Sequence, residues 1–175
     1  MTPRRIANAY VVDAGVALLG GTPTAWHATE QRPIAAASAA FLSRAAFHGA
    51  TLHVPSVFLS ELTDFVFTDW VAPGRLELPA GQRLLEDLLL TGWDVHFVVF
   101  TEALALQHRL GVAGNTAAGE YLALAAQTQS AWITHDAALV HDVRARGLGV
   151  PITHVTEHVW SQSGGLEDSP PDVER

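Results

Sequence analysis

A short β-forming run that ends on a carboxylate, Ala9-Tyr10-Val11-Val12-Asp13, followed by the small pair Ala14-Gly15, limits this chain more than any other stretch. A near-continuous apolar run suits a strand buried on both faces, as in a parallel sheet. In an open α/β sheet the ligand crevice lies just beyond the carboxyl ends of the strands. If Ala9 to Val12 is the first strand of such a sheet, Asp13 stands at a site. A carboxylate in that position is costly without a partner, which favours a functional role over a purely structural one.

The remaining chain alternates in the way that sheet requires. Helical spacing runs from Ile34 to His48 and stops at Gly49; Thr51 to Val54 reads as a second strand closed by Pro55. Ser56 is placed to cap a helix carrying Phe58, Leu59, Leu62, Phe65 and Val66 in one stripe, running to Val71, with Pro73-Gly74 as its break. A helix from Pro79 with Leu84, Leu85, Leu88 and Leu89 on its core face ends at Gly92. Val95 to Phe100 is the predicted third strand, and Thr101 caps a helix to about Leu110. Beyond the loop Gly111 to Gly114, a helix from Asn115-Thr116 to about Gln129 leads to a fourth strand, Ala131 to Thr134. A helix Ala137 to Arg146 and a fifth strand, Pro151 to Val155, complete the pattern. Val16 to Leu19 is apolar but too short to assign. Strands alternating with helices predict an α/β fold with a central parallel sheet covered on both faces. Residues 1–160 form one domain on this reading, and 161–175 an acidic, mobile tail.

Composition narrows the function. With 49% hydrophobic and only 16% charged residues the chain is a folded globule. No apolar run reaches the roughly 18 residues needed to span a bilayer, so no membrane association is expected. The basic start, Met1 to Arg5, precedes a strand ending in Asp13 and makes a poor signal-peptide core. A cysteine-free sequence fits a reducing compartment, and a cytoplasmic location is expected. The absence of cysteine excludes disulfides, thiolate metal sites and a cysteine nucleophile. The net charge is −8, of which the tail from Leu166 carries −3 and the body −5. That is not the basic footprint of a duplex-DNA binder, but it admits nucleic acid if some of the acids hold divalent cations.

Four acids can reach one crevice in such a sheet. Asp13 and Asp136 follow strands, Glu61 lies on the helix after the second strand, and Glu120 lies early in the helix before the fourth. Unit charges about 4 Å apart repel by roughly 4 kcal/mol at an effective dielectric of 20, so the cluster must be protonated or filled by cations. Oxygen-only ligands select a hard ion, Mg²⁺ or Mn²⁺. Ions of that kind, held by a few carboxylates, suit phosphodiester hydrolysis. Simpler roles compete: Asp136 is as well placed to cap the helix that follows it as to bind metal, Asp13 could cap too, and Glu61 could sit on a solvated face with Asp64 and Asp69. The histidines are not assigned as metal ligands; His135 and His141 read as surface residues or neighbours of the site.

Four segments taken in order, Val11 to Val16, Val54 to Leu62, Tyr121 to Ala125 and Trp132 to Asp136, resemble the PIN-domain nucleases, above all the VapC-like toxins of toxin–antitoxin pairs. The resemblance spans about Tyr10 to Val155. It implies an α/β/α sandwich, a Mg²⁺- or Mn²⁺-dependent endoribonuclease acting on RNA, a homodimer and an antitoxin protein as partner. It makes Asp13, Glu61, Glu120 and Asp136 the metal ligands and Thr134 a hydroxyl neighbour of the water being activated. Two positions depart from that family's pattern. Gly15 stands where a small hydroxyl residue is usual, and Ala118 where the third acid normally lies. Glu120 is two residues later, about 200° round a helix. Gly119-Glu120 resembles a Gly-Glu pair found in some relatives, so Glu120 is taken as the third acid, with Asn115 as its substitute.

Ala118 also motivates another class of function, a PIN-like domain with weakened or lost activity that binds RNA or protein; a metal titration separates the two. A phosphatase of the haloacid-dehalogenase type, with Asp13 as nucleophile, would want a second acid where Gly15 stands. No Walker-type loop and no GxGxxG motif is present.

Overall fold

Among the described residues helices separate each strand from the next, and the strands pair in parallel through these crossovers. The structure is a computed structural model and describes residues 9–111 and 116–158. Its strands are β1 (Ala9–Val12), β2 (Thr51–Pro55), β3 (Asp94–His96), β4 (Ala131–Thr134) and β5 (Ile152–His154), all parallel in the order β3-β2-β1-β4-β5. From β1 the chain builds outward through β2 to β3, then returns to the other side of β1 for β4 and β5. The reversal point is between β1 and β4, where an open α/β sheet places its crevice. The register Val12 to Ile133 brings Asp13, just after β1, level with Thr134 at the end of β4, next to His135.

Successive residues of β1 point to opposite faces, as the pleat requires. Val11 packs with Trp132, Phe58, Leu62 and Tyr121; Val12 packs with Ile133, Val16, Phe41 and Ala45. Two cores on two faces make the three-layer α/β/α sandwich that was expected. The helices are α1 (Ala14–Gly21), α2 (Arg32–His48), α3 (Val57–Val66), α4 (Leu78–Leu89), α5 (Phe100–Leu110), α6 (Thr116–Thr128) and α7 (Ala137–Ala145). Gly49, at φ 63°, ends α2 as its position suggested.

Three local expectations differ. The stretch after Asp13 is a helix, α1: Ala14 to Leu19 are all buried, so no polar face marks its period. The third strand is Asp94–His96 rather than Val95 to Phe100; Phe97, Val99 and Phe100 are exposed where the sheet has no further neighbour. Ser56 and Thr101 make no capping bond, since Ser56 is already helical and α5 starts one residue before Thr101. The helix after β2 does reach Val71, but its last turn, Phe67–Val71, is a π-helix. Asn115 and the tail 161–175 lie outside the described residues. Among the described residues no helix is long and apolar enough to cross a membrane.

Candidate active site

Asp13 ends β1 and begins α1. Its Oδ1 accepts the Val16 N–H at 2.8 Å, the N-cap that lets an all-apolar helix start here. The backbone N–H of Asp13 donates to the Ile133 carbonyl at 3.3 Å, which ties the turn to β4. Only 7% of Asp13 is exposed. Burial alone would raise its carboxyl, but the His135 charge, hydrogen bonds from His135 and Thr134, and the Val16 N–H together hold it below the usual carboxylate range. His135 Nδ1 lies 3.2 and 3.3 Å from the two Asp13 oxygens. Burial would lower the imidazole; the Asp13 charge and hydrogen bond, then Asp136 and Glu61, raise it instead.

β4 supplies the other side. The fully buried Thr134 hydroxyl accepts the Asp136 N–H at 3.1 Å and lies near enough to Asp13 to help hold its carboxyl low, so it stands between two acids. Asp136 caps α7, its Oδ1 accepting the Leu139 N–H at 3.0 Å. The capping role weighed for both aspartates is therefore realised, and each cap fixes the carboxylate at the crevice rather than removing it. From α3, Glu61 Oε2 accepts the Tyr121 hydroxyl at 2.6 Å. The Tyr121 ring is buried and stacked on Trp132, with centroids 5.3 Å apart and planes 6° apart. Burial raises the Glu61 carboxyl; the Tyr121 hydroxyl opposes this, and the charges of Asp13 and Glu120 add to it. Burial, then the Glu61 charge, pushes the Tyr121 hydroxyl well above its ordinary value. Asp13, Glu61 and Asp136 together line a cavity of about 200 Å³ with Ala118, Thr134 and His135.

No family model matches the chain, and no curated protein matches it. Solved structures do. PAE2754 from Pyrobaculum aerophilum is similar over 86% of this chain and 91% of its own, with a TM-score of 0.58 and 18% identity. VapBC2 from Rickettsia felis, solved bound to a DNA fragment from its promoter, is similar over 83% of this chain and 98% of the matched chain, with a TM-score of 0.54 and 14% identity. The chain has a PIN/VapC-like fold.

In this PIN-like fold the helix register separates the two candidates for the third acid. Ala118 lines the crevice, one turn from Tyr121 on the same face of α6; Glu120 does not line it and is partly exposed. Glu120 is still near enough for its charge to act on Glu61. His135 is what the reading of single residues understated. Its ring occupies the space above Gly15, where a Cβ would fall inside the imidazole. A histidine following a strand, opposite a glycine where a hydroxyl residue is usual, is the signal that could have found it.

A direct test follows from that packing. Gly15→Ser should displace the His135 ring, which is 38% exposed and free to swing outward, and so break its contact with Asp13. The single variant should lose about 1–3 kcal/mol, the range for overpacking. In a His135→Ala background the same change should cost under about 0.5 kcal/mol, because neighbours that share a contact do not add. Denaturant melts of the four proteins check this.

The donor set fits a hard divalent ion. It is all oxygen apart from His135, and Glu61 is raised partly by the neighbouring charge of Asp13, a repulsion that a cation would relieve. Asp136 and Glu61 each use one oxygen in the hydrogen bonds above, which orients the second, while Asp13 holds Oδ1 on the Val16 N–H and shares both oxygens with His135.

Proposed function

We propose that this chain is a divalent-metal-dependent endoribonuclease of the VapC-like toxin type, hydrolysing RNA phosphodiester bonds in the crevice between β1 and β4. The observation that carries this reading is the convergence of Asp13, Glu61 and Asp136 on one cavity at the carboxyl ends of the central strands. Asp13, Glu61 and Asp136 are the residues that would hold Mg²⁺ or Mn²⁺, with Glu120 as the additional acid. Such an ion, when bound, supplies an activated water and charge stabilisation at the phosphate.

The chain's own residues prepare that site. Thr134 and the two helix caps fix Asp13 and Asp136, and the Tyr121 hydroxyl fixes Glu61. His135 Nδ1 holds a proton against Asp13 and is the group able to pass one across the crevice mouth. The crevice continues past Gly15, Phe65 and His135 into a groove of about 450 Å³. There Trp26 and Trp70 lie 5.1 Å apart and Arg75 brings a guanidinium. Trp70 is buried and supports Trp26, whose exposed ring offers one aromatic face for a base; with a cation for phosphate, this suits a single RNA strand. VapBC2, a toxin–antitoxin pair, supports seeking an antitoxin partner for this chain. A homodimer and a cytoplasmic location complete the reading.

One specific observation favours the second reading, an RNA- or protein-binding module with weakened or lost activity: Ala118, not an acid, faces the crevice. The experiment is Mg²⁺ and Mn²⁺ titration with cleavage of single-stranded RNA, with and without a chelator, for the wild type, Glu120→Gln and Ala118→Asp. Chelator-sensitive cleavage by the wild type supports the nuclease. Ala118→Asp should raise metal affinity, and Glu120→Gln should weaken it if Glu120 is the additional ligand. Metal binding and cleavage absent from the wild type but restored in Ala118→Asp would establish the second reading.

A further inference from the structure

A second group of metal-ligating side chains lies at the edge of the sheet and shares no residue with the crevice. β3 pairs with β2 so that Asp94 is the register partner of His53. His96, two residues on, returns to the same face of the strand as Asp94. Three ligand atoms meet there: His53 Nδ1 lies 2.9 Å from Asp94 Oδ2 and 3.0 Å from His96 Nε2, and His96 Nε2 lies 3.0 Å from Asp94 Oδ2. The imidazoles meet edge to face, 4.9 Å between centroids, so each aims one ring nitrogen at the common point.

Hydrogen bonds alone serve this triangle poorly. Each edge needs its own proton, and if both imidazoles donate to Asp94, the two nitrogens face each other with no proton between them. A cation satisfies all three donors at once. Neighbouring ligands of an ion held at about 2.1 Å stand about 3.0 Å apart in octahedral geometry and about 3.4 Å in tetrahedral geometry, so the triangle fits an octahedral ion as it stands and tetrahedral Zn²⁺ after opening by a few tenths of an ångström. We propose that His53, Asp94 and His96 form a binding site for one divalent transition-metal ion, Zn²⁺, Co²⁺ or Ni²⁺ by their preference for imidazole. Two histidines and one carboxylate on one side of an ion leave its remaining positions open. Asp94 and His96 are partly solvent-exposed, so those positions face water. The site is separate from the proposed nuclease centre: nitrogen ligands disfavour Mg²⁺, and the ion here would clip the short edge strand β3 to β2.

The test uses full-length protein without a polyhistidine tag, carrying Asp13→Asn and Glu61→Gln to silence the acidic crevice; wild type in excess Mg²⁺ serves as a second background. Co²⁺ absorbance and Zn²⁺ titration should give one equivalent, not displaced by a hundredfold excess of Mg²⁺. His96→Ala at a half-buried position and Asp94→Asn at an exposed one should each weaken binding at least 100-fold. Zn²⁺ at about 100 times Kd should raise Tm by about 5–10 °C, a shift absent from both variants. No binding at 100 μM metal, or binding unchanged in both variants, overturns the site. Neither outcome depends on RNA cleavage, so failure here is distinct from failure of the nuclease reading.

Discussion

Asp13→Asn should abolish divalent-metal-dependent RNA cleavage, a loss of at least about 100-fold, while leaving the fold in place. The magnitude follows from metal sites in general, where even the partners that orient a ligand are worth 10–100-fold. The fold should survive because an asparagine oxygen can still accept the Val16 N–H and cap α1. Asp13→Ala, which removes the cap as well, should cost about 1 kcal/mol more. The pair with His135 gives the substitution a second signature in metal-free protein. The Asp13 carboxyl is held low, so its contribution is present above an unfolded value of about 3.9 and is lost as pH falls through the folded value. The His135 imidazole is held high, so its contribution is complete below about 6.5 and is lost as pH rises through its own folded value. Wild-type stability should therefore fall on the alkaline side of that window, and Asp13→Asn should flatten this fall. Melting curves from pH 4 to 9, beside cleavage assays with Mn²⁺, check both. Full cleavage by Asp13→Asn would sink the nuclease reading.

How far these features were legible depends on whether the signal is local. β1 is an apolar run followed directly by Asp13, and β4 one followed by Asp136 after a single residue, so both readings, strand and cap, use only neighbouring residues. The α2 stop at Gly49 and Pro79 in the first turn of α4 are equally local. What failed was inferred from burial that the sequence does not state. Phe97, Val99 and Phe100 look like core, yet they follow the edge strand and meet water. α1 looks like a bare apolar stretch because both of its faces are covered. The position of Glu120 turned on helix phase, which a two-residue difference reverses. His53, Asp94 and His96 were invisible for a stronger reason. Forty-one residues separate His53 from Asp94, and only the parallel register brings them together. The approach of Asp13, Glu61 and Asp136 was readable from topology, because each lies at the carboxyl end of a strand or on the helix just beyond it.

The phase of α6 is itself testable, through a residue that carries no charge. A Cβ at Gly119 would run into the Ala103 carbonyl oxygen and stand 2.9 Å from Gln107 Cβ, both on α5. A side chain can rotate away, but a main-chain carbonyl held in a helix moves only with the helix. Alanine gains about 1 kcal/mol in helix propensity over glycine, and overpacking costs about 1–3 kcal/mol, so Gly119→Ala should destabilise by up to about 2 kcal/mol. Gly119→Val, bulkier and a poorer helix former, should cost about 3 kcal/mol or more, a Tm loss of about 6–12 °C. Pushing α6 off α5 also moves Ala118 and Tyr121, both at the crevice, and with them the hydroxyl that holds Glu61. Gly119→Val should therefore weaken metal binding although it touches no acid, whereas Glu120→Gln should leave stability within about 0.5 kcal/mol of wild type. Calorimetry and Mn²⁺ titration on both variants distinguish these effects. An unchanged Tm in Gly119→Val would mean that α5 and α6 do not meet at this glycine, and Glu120 would regain the freedom to turn into the crevice.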